Sequence, residues 1–346
     1  MLAPNVAMGW VDEDAMKKLV TIALPVYKRL DYVVSALQSI AEQDYPNIEL
    51  IVSDNGENGS LVKDLADQWY PRPYRFRQNP STLPLPIHYN QLIEAATGEY
   101  FAFLDYDDVI SPNYVSELVR ILDDHPDVAV ALSREEIVDP SGRILRASSA
   151  DMPERFSGPD FLRSWTMYGY ESYATVLGRT AYIKADGGHP FFPGGTYTDD
   201  AILIKLCLRG AVGISQRCVF RWRWSEISHG WSLKCASLAE DTRRFLRFLD
   251  RDPAILRYQA KEPKEWLDIK KHLFRMAWHT YYERWAGLYR ERMPPASWVR
   301  AGFAMPFIRD YYGMVSEVLW YAVKGKCIKC IKRLGVGSRG IDRSVQ

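Results

Sequence analysis

Residues 20–56 read VTIALPVYKRLDYVVSALQSIAEQDYPNIELIVSDNG, and the period of their apolar residues changes twice. The run LVTIALPV, residues 19–26, is short, apolar and rich in β-branched side chains, which predicts a buried strand. Asp31 is a candidate cap for a helix whose apolar positions Val33, Val34, Leu37 and Ile40 keep helical spacing. IELIVSDNG then reads as a second strand running into a turn. Strand, helix and strand at this length form the repeating unit of a parallel sheet covered by helices.

The same alternation continues outward. Helices are predicted over 61–69 and 86–96, the second stopping at Gly98, with a short strand over 74–77 between them. YFAFL, residues 100–104, is the next strand, and Ser111-Pro112 offers an N-cap and a first-turn proline for a helix reaching Asp124. VAVAL, residues 128–132, is one more strand. Beyond residue 133 the pattern loosens: DPSG is a turn, and the Gly- and Pro-rich residues 187–195 are a loop. A helix over 199–209 and an alternating strand, VGISQRCVFRWRW, follow, and from about Ser237 the chain reads as helical. The expected division is a body over 1–236, with halves at about 19–133 and 134–236, and a helical C-terminal region over 237–346.

Composition limits the class. The chain has 346 residues, 47% of them apolar and 25% charged, as in globular proteins. Neither an export signal nor an apolar run long enough to span a bilayer is read from it. The five cysteines are expected to be reduced thiols, and Cys327-Cys330 lacks the second pair that a zinc site needs. A net charge of +1 hides an asymmetry. Residues 1–240 carry 22 Lys and Arg against 32 Asp and Glu, whereas residues 241–346 carry 22 against 11. The basic end mixes aromatics with Lys and Arg at helical spacing, which suits either an anionic membrane surface or packing on the body. No nucleic-acid-binding module is recognised, so nucleic acid is not an expected partner.

The chemistry concentrates in acids at strand ends, where open α/β sheets bind ligands. FAFLDYDDVISPNYV places Asp105, Asp107 and Asp108 within four positions after a buried strand. Like charges so close raise one another's pKa unless water, a helix end or a metal relieves them. An Asp-x-Asp pair suits a hard divalent cation, because Mg²⁺ takes one or two carboxylates and leaves room for phosphates. Asp54 at the end of the second strand could accept a hydrogen bond from a base or ribose. Asp199-Asp200 opens a helix, where the dipole keeps a carboxylate ionised.

These motifs, in this order, resemble glycosyltransferase family 2, the inverting enzymes of the GT-A fold, over about residues 19–235. The resemblance implies a mostly parallel, Rossmann-like central sheet flanked by helices, with the C-terminal helical region added. It implies transfer of a sugar from a nucleoside-diphosphate donor to a hydroxyl of a glycan or lipid-linked glycan, as in bacterial surface polysaccharide assembly. Pro25, Tyr27, Asp54, Asn90 and Asp105 fall at the family's nucleotide-binding positions, and Asp107 at its metal position, for Mn²⁺ or Mg²⁺. Asp200 takes the place of the catalytic base, although the family's Glu-Asp pair is Asp199-Asp200 here. His229 is implied as a further metal ligand, with Asp108, Asp199 and Trp231 as secondary candidates. The implied location is the cytoplasm, peripheral to the inner face of the cell membrane. Two rivals are weighed. A sugar-phosphate nucleotidyltransferase would need a glycine-rich loop after the first strand, and LPVYKRLDYV has none there. An inactive glycan- or lipid-binding scaffold would be expected to lose one acidic site, and both persist.

Overall fold

A computed structural model describes residues 17–148, 152–164, 176–224 and 235–289. The chain order is β1 (Val20–Val26), α1 (Val33–Ala41), β2 (Ile48–Asp54), α2 (Leu61–Trp69), β3 (Tyr74–Gln78), α3 (Leu85–Ala95) and β4 (Tyr100–Phe103). Next come β5 (Val109–Ile110), α4 (Tyr114–Asp124), β6 (Val128–Val138), β7 (Ile144–Ala147), β8 (Arg155–Phe156) and α5 (Gly158–Ser164). The remainder is β9 (Leu177–Arg179), α6 (Thr180–Ala185), α7 (Thr198–Cys207), β10 (Ala211–Arg223), α8 (Cys235–Arg251), α9 (Pro253–Lys261) and α10 (Pro263–Tyr289).

One sheet runs β3-β2-β1-β4-β9-β6-β10-β5, with β7 paired to β6 and β8 to β10. β1 is parallel to β2 and β4, β2 to β3, and β6 to β10. The exceptions in the middle come from β9, three residues long and antiparallel to both β4 and β6. It joins β1–β4 to the later strands, and its brevity hid it from periodicity, because three residues carry no alternation. β1 is buried along its whole length, as its unbroken apolar run requires when both sheet faces are covered. Leu24, Val33, Leu37, Ile40, Leu118 and Leu122 pack one face, whereas Tyr89, Phe103, Phe161, Leu203 and Phe245 pack the other.

The predicted caps are corrected. Asp31 pairs with Arg29, and α1 starts after Tyr32 without a side-chain cap. Ser111 does not cap α4 either. Its hydroxyl accepts from Val219 N at 2.9 Å, binding the turn before α4 to β10, while Asn113 occupies the cap position.

Phe245, Phe248, Leu249, Ile255, Trp266 and Leu273 of α8–α10 enter the same apolar core as β4, β6 and α7. By its contacts the chain separates into Met1–Ala286 and Gly287–Gln346. The expected division at 236 therefore falls within the first unit. Only residues 287–289 of the second are among those described. Among the described residues no helix is long and apolar enough to cross a membrane.

His88 of α3 shows how costly a buried charge is in this core. It is 2% exposed, its Nε2 lies 2.8 Å from Ser53 Oγ, and burial pushes its pKa down to about 4. The unfolded imidazole titrates near 6.5, so the neutral ring's contribution is complete above that pH and is lost as pH falls towards 4. Chemical denaturation at pH 7 and pH 4.5 should show the wild type losing on the order of 2 kcal/mol more than His88→Gln. Equal losses would mean that His88 is not held neutral.

Candidate active site

The carboxyl ends of β1, β2 and β4 open on one edge, and side chains from each converge there with α3 and the start of α7. β1 and β2 are in register through Pro25–Ser53 and Val26–Asp54. Tyr27 just beyond is 38% exposed. Gly56 allows the two loops to meet, since a Cβ there would lie 2.2 Å from Lys28 N.

Asp54 is fully buried and occupied by its own loop. Oδ1 accepts from Gly56 N and from Asn58 Nδ2, both at 2.8 Å. Oδ2 accepts from Asn58 N at 3.0 Å and Gln78 Nε2 at 3.3 Å. Four donors fill the lone pairs of a carboxylate. A base contact at Asp54 therefore requires Asn58 or Gln78 to yield a place.

Asn90 also serves the backbone. Its Nδ2 donates to His189 O at 2.9 Å, and its Oδ1 accepts from His189 N at 2.7 Å. Gly188 adopts φ +62°, and a Cβ there would lie 2.3 Å from Asn90 Oδ1. The clamp thus holds the Gly-rich loop against α3.

The acid cluster divides its work by burial. Asp105 Oδ1 accepts from Tyr89 OH at 2.5 Å. Burial, followed by the neighbouring charge of Asp107, pushes the Asp105 carboxyl up to about 7, and the charge of Asp199 adds to this. Burial raises Asp107 too, against the opposing charges of Arg223 and Arg29. Asp108 faces inward: its Oδ1 accepts from Arg223 N at 2.9 Å, tying the turn to β10. That bond makes it an anchor for the pair, and burial with two acidic neighbours raises its pKa well above the usual range.

Two residues of this site carry no signal in the sequence. Arg223, at the end of β10, donates from Nε to Asp107 O at 3.0 Å, and its guanidinium stands 4.3 Å from the Tyr32 ring centre. In sequence it is one more alternating position. His189 is buried, with Nδ1 3.1 Å from Thr198 O and its ring edge-on to Tyr89 at 5.5 Å. Burial pushes it down to about 3, and its Nε2 makes no hydrogen bond among the described residues. The only cue was a histidine inside a glycine-rich loop.

The second acid pair opens α7. Tyr197 precedes it in the left-handed region at φ 65°. Burial and then the charge of Asp200 push Asp199 up to about 7. Asp199 also raises both Tyr89 and Asp105, so the two acidic motifs, far apart in sequence, share one site. His229 and Trp231 lie outside the described residues.

Among the described residues no group of three or more His, Cys, Asp or Glu could hold a metal by itself. The donors present still fit Mg²⁺ or Mn²⁺ bound with a diphosphate, because such ions take one or two carboxylates and complete their shell elsewhere. The upward shifts of Asp105 and Asp107 are what a cation between them would relieve.

A mixed sheet, parallel through β3-β2-β1-β4 and again at β6-β10, with acidic pairs at a strand end and at a helix start, has the architecture of the GT-A fold. Residues 21–186, just under half of the chain, match the family model described as glycosyl transferase family 2. EpsH of Bacillus subtilis (strain 168), whose name places it among glycosyltransferases, is 31% identical over 121 residues, 35% of this chain and 35% of that protein. An uncharacterised glycosyltransferase of Rickettsia conorii (strain ATCC VR-613 / Malish 7) is 32% identical over 140 residues, 38% of this chain and 22% of its own. The matches thus span about a third or less of these relatives' lengths. Among solved structures, TarS of S. aureus in complex with UDP-GlcNAc superposes with a TM-score of 0.56 at 20% identity, covering 70% of this chain and 69% of that one. Mannosyltransferase PcManGT of Pyrobaculum calidifontis, in complex with GDP-Man and Mn2+, gives 0.50 at 16%, covering 88% and 84%. These two likenesses are of fold.

Proposed function

We propose that this protein transfers a sugar from a nucleoside-diphosphate donor to an acceptor hydroxyl, inverting the anomeric centre. The observation that carries the reading is the convergence of the two acidic motifs, Asp105/Asp107 and Asp199/Asp200, with the charge of Asp199 acting on Asp105 and on its partner Tyr89. Asp200 takes the proton from the acceptor hydroxyl as that oxygen attacks the anomeric carbon from the side opposite the leaving diphosphate. Asp199, whose charge reaches Asp105, orients the pair. Asp107, with Asp105, would hold a divalent cation, which when bound neutralises charge on the leaving diphosphate. Tyr89 keeps the Asp105 carboxylate aimed, and Arg223 holds the backbone carbonyl of Asp107. Pro25, Tyr27 and Asp54 line the base end, Asp54 by organising its loop.

Residues 19–133 form the donor half and 134–236 the acceptor half of this reading. The acceptor proposed is a glycan or a lipid-linked glycan of a bacterial surface polysaccharide, met at the inner face of the membrane. A thermal-shift screen of UDP, GDP and TDP with and without Mn²⁺ tests the donor assignment, because a ligand that binds only the native state raises its melting temperature. At least one diphosphate should stabilise the protein, and more strongly with Mn²⁺. Stabilisation by none would overturn the reading.

The membrane contact is assigned to the chain after residue 289, since α8–α10 bury Phe245, Phe248 and Trp266 inward. Lys324, Lys326, Lys329, Lys332 and Arg333 crowd that end beside Trp320 and Tyr321. Each basic side chain near an anionic surface contributes about 1 kcal/mol, an attraction that salt screens over about 10 Å at 0.1 M. Full-length protein should pellet with anionic liposomes at low salt and be partly released at high salt. A chain truncated after Gly313 should stay in the supernatant yet still be stabilised by nucleotide. Equal sedimentation with neutral vesicles would refute the contact.

A further inference from the structure

The helix after the last strand carries no catalytic motif, yet it grips the loop that delivers the second acid pair. Asp241 of α8 has no exposed surface. Its Oδ1 accepts from Gly194 N and its Oδ2 from Thr196 N, both at 3.0 Å. The next residue, Thr242, places Oγ1 3.1 Å from Tyr197 OH, which donates in turn to Ala277 O of α10 at 3.0 Å. One turn further along α8, Phe245 stacks on the Tyr197 ring at 4.6 Å. Asp241, Thr242 and Phe245 therefore share one helix face and hold residues 194–197, immediately before α7 begins at Thr198.

A buried carboxylate is a costly way to fill space, and an apolar side chain would pack as well. What a carboxylate adds is direction. Two backbone N–H groups aimed at its two oxygens define the course of the loop between them, and Tyr197 keeps its left-handed conformation at the end of it. The course of that loop sets the point and angle at which α7 starts, and hence where its first two acids lie.

We propose that Asp241 is a positioning residue for the acid pair, and that the C-terminal helices thereby belong to the catalytic machinery. Its effect on turnover rests on the proposed role of Asp199 and Asp200, whereas its effect on the loop does not. A misplacement of about 1 Å at a reacting group costs on the order of 10²-fold in rate. Asp241 has no hydrogen-bond partner in the donor half, and its loss leaves the charge of Asp199 in place, so donor binding should be largely spared.

The test uses the full chain. Asp241→Asn keeps the shape but sets an amide N–H₂ against one of the two backbone donors. Tyr197→Phe, a milder change, removes only the hydroxyl joined to Thr242 and Ala277. Ile255→Ala, in the core beside α8, serves as a control that lowers stability without touching the loop. Hydrogen–deuterium exchange over residues 192–201 should quicken by about tenfold in Asp241→Asn, and less in Tyr197→Phe, with residues 20–103 unchanged. Affinity for the nucleoside diphosphate with Mn²⁺, read by calorimetry, should stay within about twofold, and kcat should fall while the donor KM holds. An equal rise in loop exchange in Ile255→Ala at a matched melting temperature would overturn the proposal. So would unchanged exchange in both loop variants, or a loss confined to donor KM. If Asp241→Asn does not fold, Tyr197→Phe decides by the same readings. Loosening of the loop in a protein whose wild type releases diphosphate from no sugar nucleotide would sink the transferase reading and leave the loop contact standing.

Discussion

Asp107→Asn should lower sugar transfer by on the order of 10³-fold, the upper scale for removing one preorganised electrostatic contact in an active site. The amide has the shape of the carboxylate without its charge, so it can neither balance a divalent cation nor help it hold the diphosphate. Mn²⁺-dependent binding of the nucleoside diphosphate should weaken in parallel, as calorimetry would show. The protein should not be weakened with it. The charge of Asp107 burdens both Asp108, which is buried, and Asp105, which is half-buried. Removing that charge should leave the melting temperature unchanged or raised, which separates a disabled site from an unfolded one. Turnover comparable with the wild type, or full wild-type activity in excess EDTA, would sink the assignment.

Asp200→Asn should lose transfer by on the order of 10²-fold or more, the scale of general-base catalysis, while donor affinity stays close to normal. Asp199→Asn should cost less in kcat. Its charge acts on Asp105 and Tyr89, so part of its effect should appear in donor binding. The two variants thus divide the pair: one changes the chemical step, the other the donor side. If donor affinity collapses in Asp200→Asn and survives in Asp199→Asn with transfer abolished, the two roles are exchanged.

The N-terminal half was legible almost to the residue. β1, α1, β2, α2, α3 and β4 each have a strong apolar period, bounded by turn residues such as Asn55-Gly56 and Gly98. Both acidic motifs were visible as well, since charge after a buried run stands out against the pattern. Caps were misread because Asp31 and Ser111 each have a stronger partner elsewhere, Arg29 in one case and the backbone of β10 in the other. A capping bond is local only when nothing from another element competes for the side chain.

The amino-acid sequence by itself determined the alternation of strands and helices, the order of the acidic motifs and the resemblance to a family that follows from them. These are properties of local period and composition, which the backbone reads over a few residues. Tertiary structure decided what those residues do to one another. It filled Asp54 with donors from its own loop and Gln78, tied Asn90 to His189 across 99 positions, and set Asp241 under a loop 47 positions away. It also merged α8–α10 into the core that supports α7, where the sequence left packing on the body and a membrane surface both open. The reason is physical: a buried polar group must find a partner wherever the packing places one, and that place is fixed by how the layers meet, not by distance along the chain.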